Sequence, residues 1–190
     1  MKSILASATV LAAALLPATS QAAWEIDPVH THVSFEVGHL GLTRTPGIFR
    51  KVQGEVTFDL EKIEASTVTI TIDSDSIDTA HSQRDADLRK EDWFDAVRNP
   101  KISFVSRSVK ALDAKNFIVT GDLTLRGVTR PVDFKATLIN VITNPFLKVP
   151  AVGFIATATV KRADFGMAKF LQAIDDEVLL KIQLEMNKKP

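Results

Sequence analysis

Along most of this chain apolar and polar residues alternate one for one. Val33, Phe35 and Val37 take turns with Ser34 and Glu36, and Val52, Gly54, Val56, Phe58 and Leu60 with Gln53, Glu55, Thr57 and Asp59. The same rhythm runs through Val68-Ile70-Ile72, Val132-Phe134-Ala136-Leu138, Val152-Phe154-Ala156-Ala158-Val160 and Val178-Leu180-Ile182-Leu184. A period of two puts successive side chains on opposite faces, so each run predicts a strand with one buried face and one wet face, the mark of antiparallel sheet. Residues 101–112 and 116–125 read as two further, less regular strands. Turn signals such as Asp113-Ala114-Lys115-Asn116 and Arg126-Gly127 separate the runs, and residues 143–150, with two prolines, form a loop.

About eight strands with short connections predict an all-β, antiparallel, eight-stranded barrel, since closure leaves no open edges. One stretch breaks the alternation. Residues 82–95 (SQRDADLRKEDWFD) are rich in helix formers, and Ser82 with Asp85 resembles an N-cap and an acidic first turn. They predict one short helix folded onto the barrel through Leu88 and Trp93 or Phe94.

The first residues place the protein outside the cytoplasm. Lys2 precedes an apolar run at residues 4–16, too short to span a bilayer, and Ser20-Gln21-Ala22 offers small residues where a signal peptidase cuts. Residues 1–22 are expected to be a cleaved leader and residues 23–190 one exported domain, with a Gram-negative periplasm the better-fitting destination. No cysteine is present, so lipid anchoring at that site, disulfides and thiolate chemistry are all excluded. The leader carries Lys2 as its sole charge, which leaves the domain near a net charge of −1 and argues against a nucleic-acid partner.

A barrel of this size is either filled by side chains or encloses one small ligand. The inward rows mix small residues (Gly54, Ala136, Ala156, Ala158) with Phe58, Phe134, Phe154 and Val160, while the chain has eleven phenylalanines and no tyrosine. Such a lining suits an elongated apolar guest, whereas a polar guest needs inward hydrogen-bonding groups that these rows lack. A dry aromatic core serving an interaction module is the alternative.

Three of the four histidines fall within residues 30–39. His30, His32 and Glu36 share strand parity, and their spacing matches the first metal motif of cupins, so a metal-dependent enzyme is the rival reading. Against it, the apolar Val33, Phe35 and Val37 have the opposite parity, Trp24 and Thr43 stand where that motif has glycines, and His81 lies in no matching second motif. Pro28 delays the strand, which leaves His30 free to belong to a turn. His39 shares the parity of Phe35 and points inward near the strand end. Asp175 and Asp176 are adjacent and read as a solvated strand start. Neither a G-x-S-x-G elbow nor a cysteine nucleophile occurs.

The ordered set of motifs resembles the YceI-like proteins over nearly the whole domain. It comprises Asp27-Pro28-Val29-His30 through His39-Leu40-Gly41, Ser76-Ile77-Asp78-Thr79, Arg84-Asp85 with Leu88, and Asp92-Trp93-Phe94-Asp95. It continues with Asn99-Pro100-Lys101-Ile102-Ser103-Phe104, the stretch GDLTLRGVTRPV at residues 121–132, Arg162-Ala163-Asp164-Phe165-Gly166-Met167 and Asp176-Glu177-Val178. The resemblance implies a lipocalin-like barrel, exported to the periplasm, that binds polyisoprenoids or other long-chain amphiphiles such as quinones or fatty amides and performs no catalysis. Many members carry histidine two residues after the Arg-Asp pair; here Asp87 stands there, so a head-group role for that histidine does not carry over.

The expected ligand-binding residues are Phe35, Val37, His39, Phe58, Arg84, Leu88, Trp93, Phe94, Phe104, Phe134, Phe154 and Ala156. Arg84 and Arg89 are head-group candidates, unless they form surface salt bridges with Asp85 or Asp92, and Trp93 with Phe94 forms a lid. In GDLTLRGVTRPV, Gly127 supplies a turn conformation and Pro131 opens the next strand. No cofactor or metal is expected beyond a bound lipid, and no stable membrane insertion. A homodimer is compatible with such a barrel.

Overall fold

The computed structural model describes residues 23–59 and 61–189, so the expected leader and its cleavage point after Ala22 lie outside the described residues. Among these residues the strands are β1 (Ala23–Ile26), β2 (His32–His39), β3 (Thr43–Phe49), β4 (Val52–Thr57), β5 (Thr67–Asp73) and β6 (Ile77–Asp78). They continue as β7 (Lys101–Ala111), β8 (Asn116–Leu125), β9 (Val128–Thr143), β10 (Pro150–Lys161) and β11 (Ile174–Lys188), with one α-helix, α1 (Ser82–Leu88). Every pairing is antiparallel.

Eleven strands make an eight-stave barrel because the first three staves are each interrupted once. β1 and β2 lie end to end on the same edge of β11, through Trp24–Lys188 and Val33–Ile182 respectively. β3 pairs with β2 while β4 pairs with β1, and β6 pairs with β3 while β5 pairs with β4. The remaining staves follow in chain order from β7 to β11, and the β1–β11 pairing closes the ring. The expected closed eight-stranded barrel is what forms, with breaks in the staves that alternation alone does not mark.

Each break has a local cause. Between β1 and β2, Pro28 lacks an amide donor, and the Asp27 carboxylate caps the turn. Its Oδ1 accepts from the Val29 and His30 amides at 2.8 and 3.1 Å, and its Oδ2 lies 3.0 Å from His30 Nδ1. Between β5 and β6 a 3-10 turn, Ser74–Ser76, is held inward by buried Ser74, whose hydroxyl donates to Asn99 O at 2.7 Å. Ser76 O and Oγ then accept from the Arg50 and Lys51 amides, which ties the β3–β4 break to its neighbour.

Two glycines let aromatic rings lie flat on the inner wall. A Cβ on Gly47 would sit 2.2 Å from the Phe35 ring, and one on Gly121 would sit 2.5 Å from that of Phe104. Gly54, expected to leave space, instead admits Ile70 and Ile26, whose Cδ1 atoms would meet its Cβ at 2.6 and 3.0 Å. The β8–β9 connection is a two-residue turn with Arg126 at φ 53° and Gly127 at φ 72°, the left-handed pair such hairpins require.

The helix is shorter than residues 82–95. It ends at Leu88 because Leu88 and Phe94 both reach the barrel, and the Phe94 amide turns back onto Leu88 O at 3.0 Å. The cap is His81 rather than Ser82: His81 has extended backbone, and its Nδ1 accepts from the Arg84 amide at 3.2 Å. Asp85 is buried by Thr79, whose amide and hydroxyl donate to Oδ1 at 2.9 and 2.6 Å.

The hydrogen bond between Asp27 and His30 holds the Asp27 carboxyl below its ordinary range and lifts the His30 imidazole above its own. The contribution of charged His30 to stability is therefore full below the unfolded histidine value and fades as pH rises through the raised one. That of Asp27 is present above the unfolded carboxylate value and fades as pH falls through the lowered one. NMR titration of the His30 ring is expected to give a midpoint above an ordinary histidine's, and Asp27→Asn to return it; an unchanged midpoint would discard the pair.

Candidate ligand-binding cavity

The inward rows do not fill the barrel. They enclose a cavity of about 850 Å³, toward the upper end of the range for small-molecule sites. All twelve expected binding residues lie on its wall: Phe35, Val37, His39, Phe58, Arg84, Leu88, Trp93, Phe94, Phe104, Phe134, Phe154 and Ala156.

Aromatic side chains cluster at one end. Phe58, just beyond β4, meets Trp24 at 5.9 Å and Phe154 edge-on at 5.0 Å between ring centroids, and Phe154 meets Phe117 at 6.4 Å. The indole Nε1 donates to Phe58 O at 2.9 Å, so the one polar atom of Trp24 is satisfied while its ring stays apolar. Farther along, Phe104 and Phe134 contact edge-on at 5.0 Å. Ala136 and Ala156, directly paired on β9 and β10, open the space between these rings.

The other end of the staves, where β2 ends at His39 and α1 packs, is the mouth. Charged wall residues gather there: His39, His81, Arg84, Asp87, Lys90, Asp92, Arg162 and Lys169. Most are already paired. Lys90 Nζ donates to Asp87 Oδ1 at 2.6 Å, and Lys169 pairs with Asp92. Leu40, beside His39, and Leu171, beside Phe170, are exposed, and the two turns join through the Leu40 amide and Ala173 O at 2.7 Å.

The arginines play a different part from the expected one. Arg84 lies on the wall but donates to Thr79 Oγ1 and O, both at 2.8 Å. Arg89 lies off the cavity, and its guanidinium satisfies the carbonyls of Asp75 and Ile77 at 2.8 and 2.9 Å. These carbonyls are freed by the break between β5 and β6, so Arg89 is not available to a head group, and neither arginine pairs with Asp85 or Asp92.

Arg162, which the sequence did not single out as a site residue, is buried and donates to the carbonyls of Met167, Lys169, Ile174 and Asp175. Burial pushes its pKa down from the ordinary value, yet a guanidinium stays protonated at any working pH. It sits 5.5 Å from the Trp93 ring centroid, and Trp93 also meets Phe170 at 6.5 Å. Trp93 is thus a rim residue set by the 162–175 segment. Phe94 is part of the wall rather than a lid, packed edge-on against Phe49 at 5.7 Å. Asp176, read as solvated, accepts from the Ala163 amide at 2.9 Å and helps anchor the same segment.

The metal set of the rival reading does not assemble among the described residues. His30 belongs to the turn before β2, His32 is exposed, and Glu36 faces Arg44 at 3.4 Å. Asp27, His30 and Glu185 of β11 do bring ligand atoms within 4.8 Å of one another, and two of the three are already joined by the Asp27–His30 hydrogen bond of the turn.

The model of the YceI-like domain matches residues 24–186. A UPF0312 protein of Pseudomonas aeruginosa is 38% identical over 156 residues, covering 82% of this chain and 81% of that one. Protein YceI of Escherichia coli O157:H7 shows the same identity and coverage. Among solved structures, BcnA of Burkholderia cenocepacia aligns with a TM-score of 0.78 at 26% identity, over 85% of this chain and 99% of its own. A polyisoprenoid-binding domain from Saccharophagus degradans aligns at 0.69 and 14% identity, over 88% of this chain and 99% of its own, a likeness of fold alone. With its motifs in order, its barrel closed and the domain model matched almost from first stave to last, the chain belongs to the YceI-like family.

Proposed function

We propose that this protein is an exported carrier, working in the periplasm, for one long-chain hydrophobic molecule held inside the barrel. A polyisoprenoid, an isoprenoid quinone or a similar amphiphile fits best. The observation that carries this reading is the cavity of about 850 Å³, apolar along its depth and charged at its mouth. Each methylene withdrawn from water contributes roughly 0.8 kcal/mol, so a chain held here binds tightly without polar contacts and with little discrimination among similar chains. The charged mouth leaves a polar head near water, where burial costs it little. Catalysis forms no part of this reading, and the space between Ala136, Ala156 and the phenylalanines argues against a dry barrel.

Mass spectrometry of gently purified protein, sprayed intact and after solvent extraction, is expected to find a stoichiometric long-chain amphiphile. A protein that is empty and also refuses an added prenyl alcohol would sink the carrier reading. Ala156→Phe projects a ring into the cavity and is expected to weaken guest binding at least about tenfold. The empty variant should melt no lower than the parent, because filling a void stabilises. Trp93→Ala, at the rim, should speed guest release several-fold with a small change in melting temperature. Phe94→Asp, by contrast, should lower retention and melting temperature together.

A further inference from the structure

The β9–β10 hairpin outgrows the barrel at the end opposite α1. β8 starts with Asn116 opposite Thr137, so residues 139–143 run beyond it and have strand partners on β10 alone. Ile139, Val141 and Ile142 on this extension are exposed, and at the tip Phe146 is 90% and Leu147 60% exposed. The tip is nevertheless a formed turn. Asn144 Oδ1 accepts from the Phe146 and Leu147 amides at 2.9 and 3.1 Å, and Asn144 O accepts from the Lys148 amide at 2.9 Å. Asn144 Nδ2 donates to Asn187 Oδ1 of β11 at 2.9 Å, which ties the tip to the barrel. Apolar side chains held outward by a satisfied backbone mark a contact with something outside the molecule.

Charge identifies the contact. From Phe134 to Val160 the only charged residues are Lys135 and Lys148, and Lys115 and Lys188 stand beside the hairpin, next to Leu138 and Asn187. None of these four lysines forms an ion pair among the described residues. The mouth differs. Leu40, Leu42, Phe170 and Leu171 are exposed there too, but Arg44 beside Leu42 faces Glu36, and Lys169 beside Phe170 pairs with Asp92. An apolar tip ringed by uncompensated lysines complements a bilayer of anionic lipid. A second copy of the chain fits less well. Ile139 is a bulge with no β10 partner and the Val141 amide donates to Asn140 Oδ1 at 3.0 Å, both of which work against adding a strand to the free edge. We propose that the β9–β10 hairpin is a membrane-surface anchor, which sets Phe146 and Leu147 among the lipid chains of an anionic bilayer and the lysines at its phosphates. Residues 139–148 lie off the cavity wall, so docking leaves guest binding untouched and turns the mouth away from the surface. The anchor governs where the protein sits, whatever the cavity carries.

The test sediments purified protein with vesicles of phosphatidylglycerol and phosphatidylethanolamine in equal parts, and with vesicles of phosphatidylcholine alone. Binding should favour the anionic vesicles several-fold and fall as salt rises. Phe146→Ser combined with Leu147→Ser should weaken it at least about tenfold, and Lys135→Gln with Lys148→Gln should remove most of the preference for anionic lipid. Neither pair should shift the melting temperature or the guest content, since these side chains are exposed and off the cavity wall. The chain has no cysteine, so an environment-sensitive fluorophore can be attached at Leu147→Cys or, in a second protein, at Leu42→Cys beside the mouth. On anionic vesicles the first should shift to the blue and the second should not. The inference is overturned by equal binding of the parent and the Phe146–Leu147 variant, by no binding to anionic vesicles, or by a blue shift at Leu42 as large as at Leu147. Light scattering that finds a dimer in the parent and a monomer in that variant would overturn it as well, and would give the patch to a second copy.

Discussion

Closure on β11 is the constraint from which the rest of the molecule follows. One edge of this strand runs unbroken along β10, from Ala151–Asn187 to Lys161–Glu177. The other edge must take up the first stave, and does so in two pieces, β2 on its earlier part and β1 on its later part. Once that edge is occupied no strand of the ring is left open, and the interior width is set by the number of staves. Eight staves give a lumen that phenylalanine rings line but do not fill, so the same pairing that removes the edges also creates the cavity. Without it the inward rows would face water.

Much of this was legible because period two is a strong and local signal. Val178-Leu180-Ile182-Leu184 and Val132-Phe134-Ala136-Leu138 face inward as their alternation says, and the phenylalanines singled out as lining are on the cavity wall. The breaks in the first three staves were harder to see. Asp27-Pro28 and Ser74-Asp75-Ser76 have turn chemistry, yet the residues on both sides stay in line with the same neighbouring stave, a fact of register rather than composition. Helix length was misjudged for a related reason. Residues after Leu88 have helical propensity, but contacts of Leu88 and Phe94 with the barrel outweigh it.

Polar residues were the least legible, because their roles depend on which backbone groups the fold leaves bare. Arg84 and Arg89 read as head-group or surface cations, Arg126 as part of a turn, and Arg162 only as part of a motif. In the structure each donates to backbone carbonyls: Thr79, Asp75 with Ile77, Glu91 with Gly166, and the 167–175 segment. Loops around a barrel mouth have no ladder to satisfy their carbonyls, and a guanidinium with five donors serves several at once. The mouth is therefore built by its arginines, and the space left for a guest's head is bounded by Trp93, Phe170 and the paired lysines.

The interrupted first stave also bears on time. Its partner is the last strand, so Trp24 waits for Lys188 and Val33 for Ile182, among the longest sequence separations in the chain. Contacts of that span slow folding, because the loop entropy must be overcome before the pairing stabilises anything. Until residues 174–188 are in place the barrel is a curled sheet with two free edges and no enclosed interior. A chain wired in this way encloses its interior only once its first and last strands have paired.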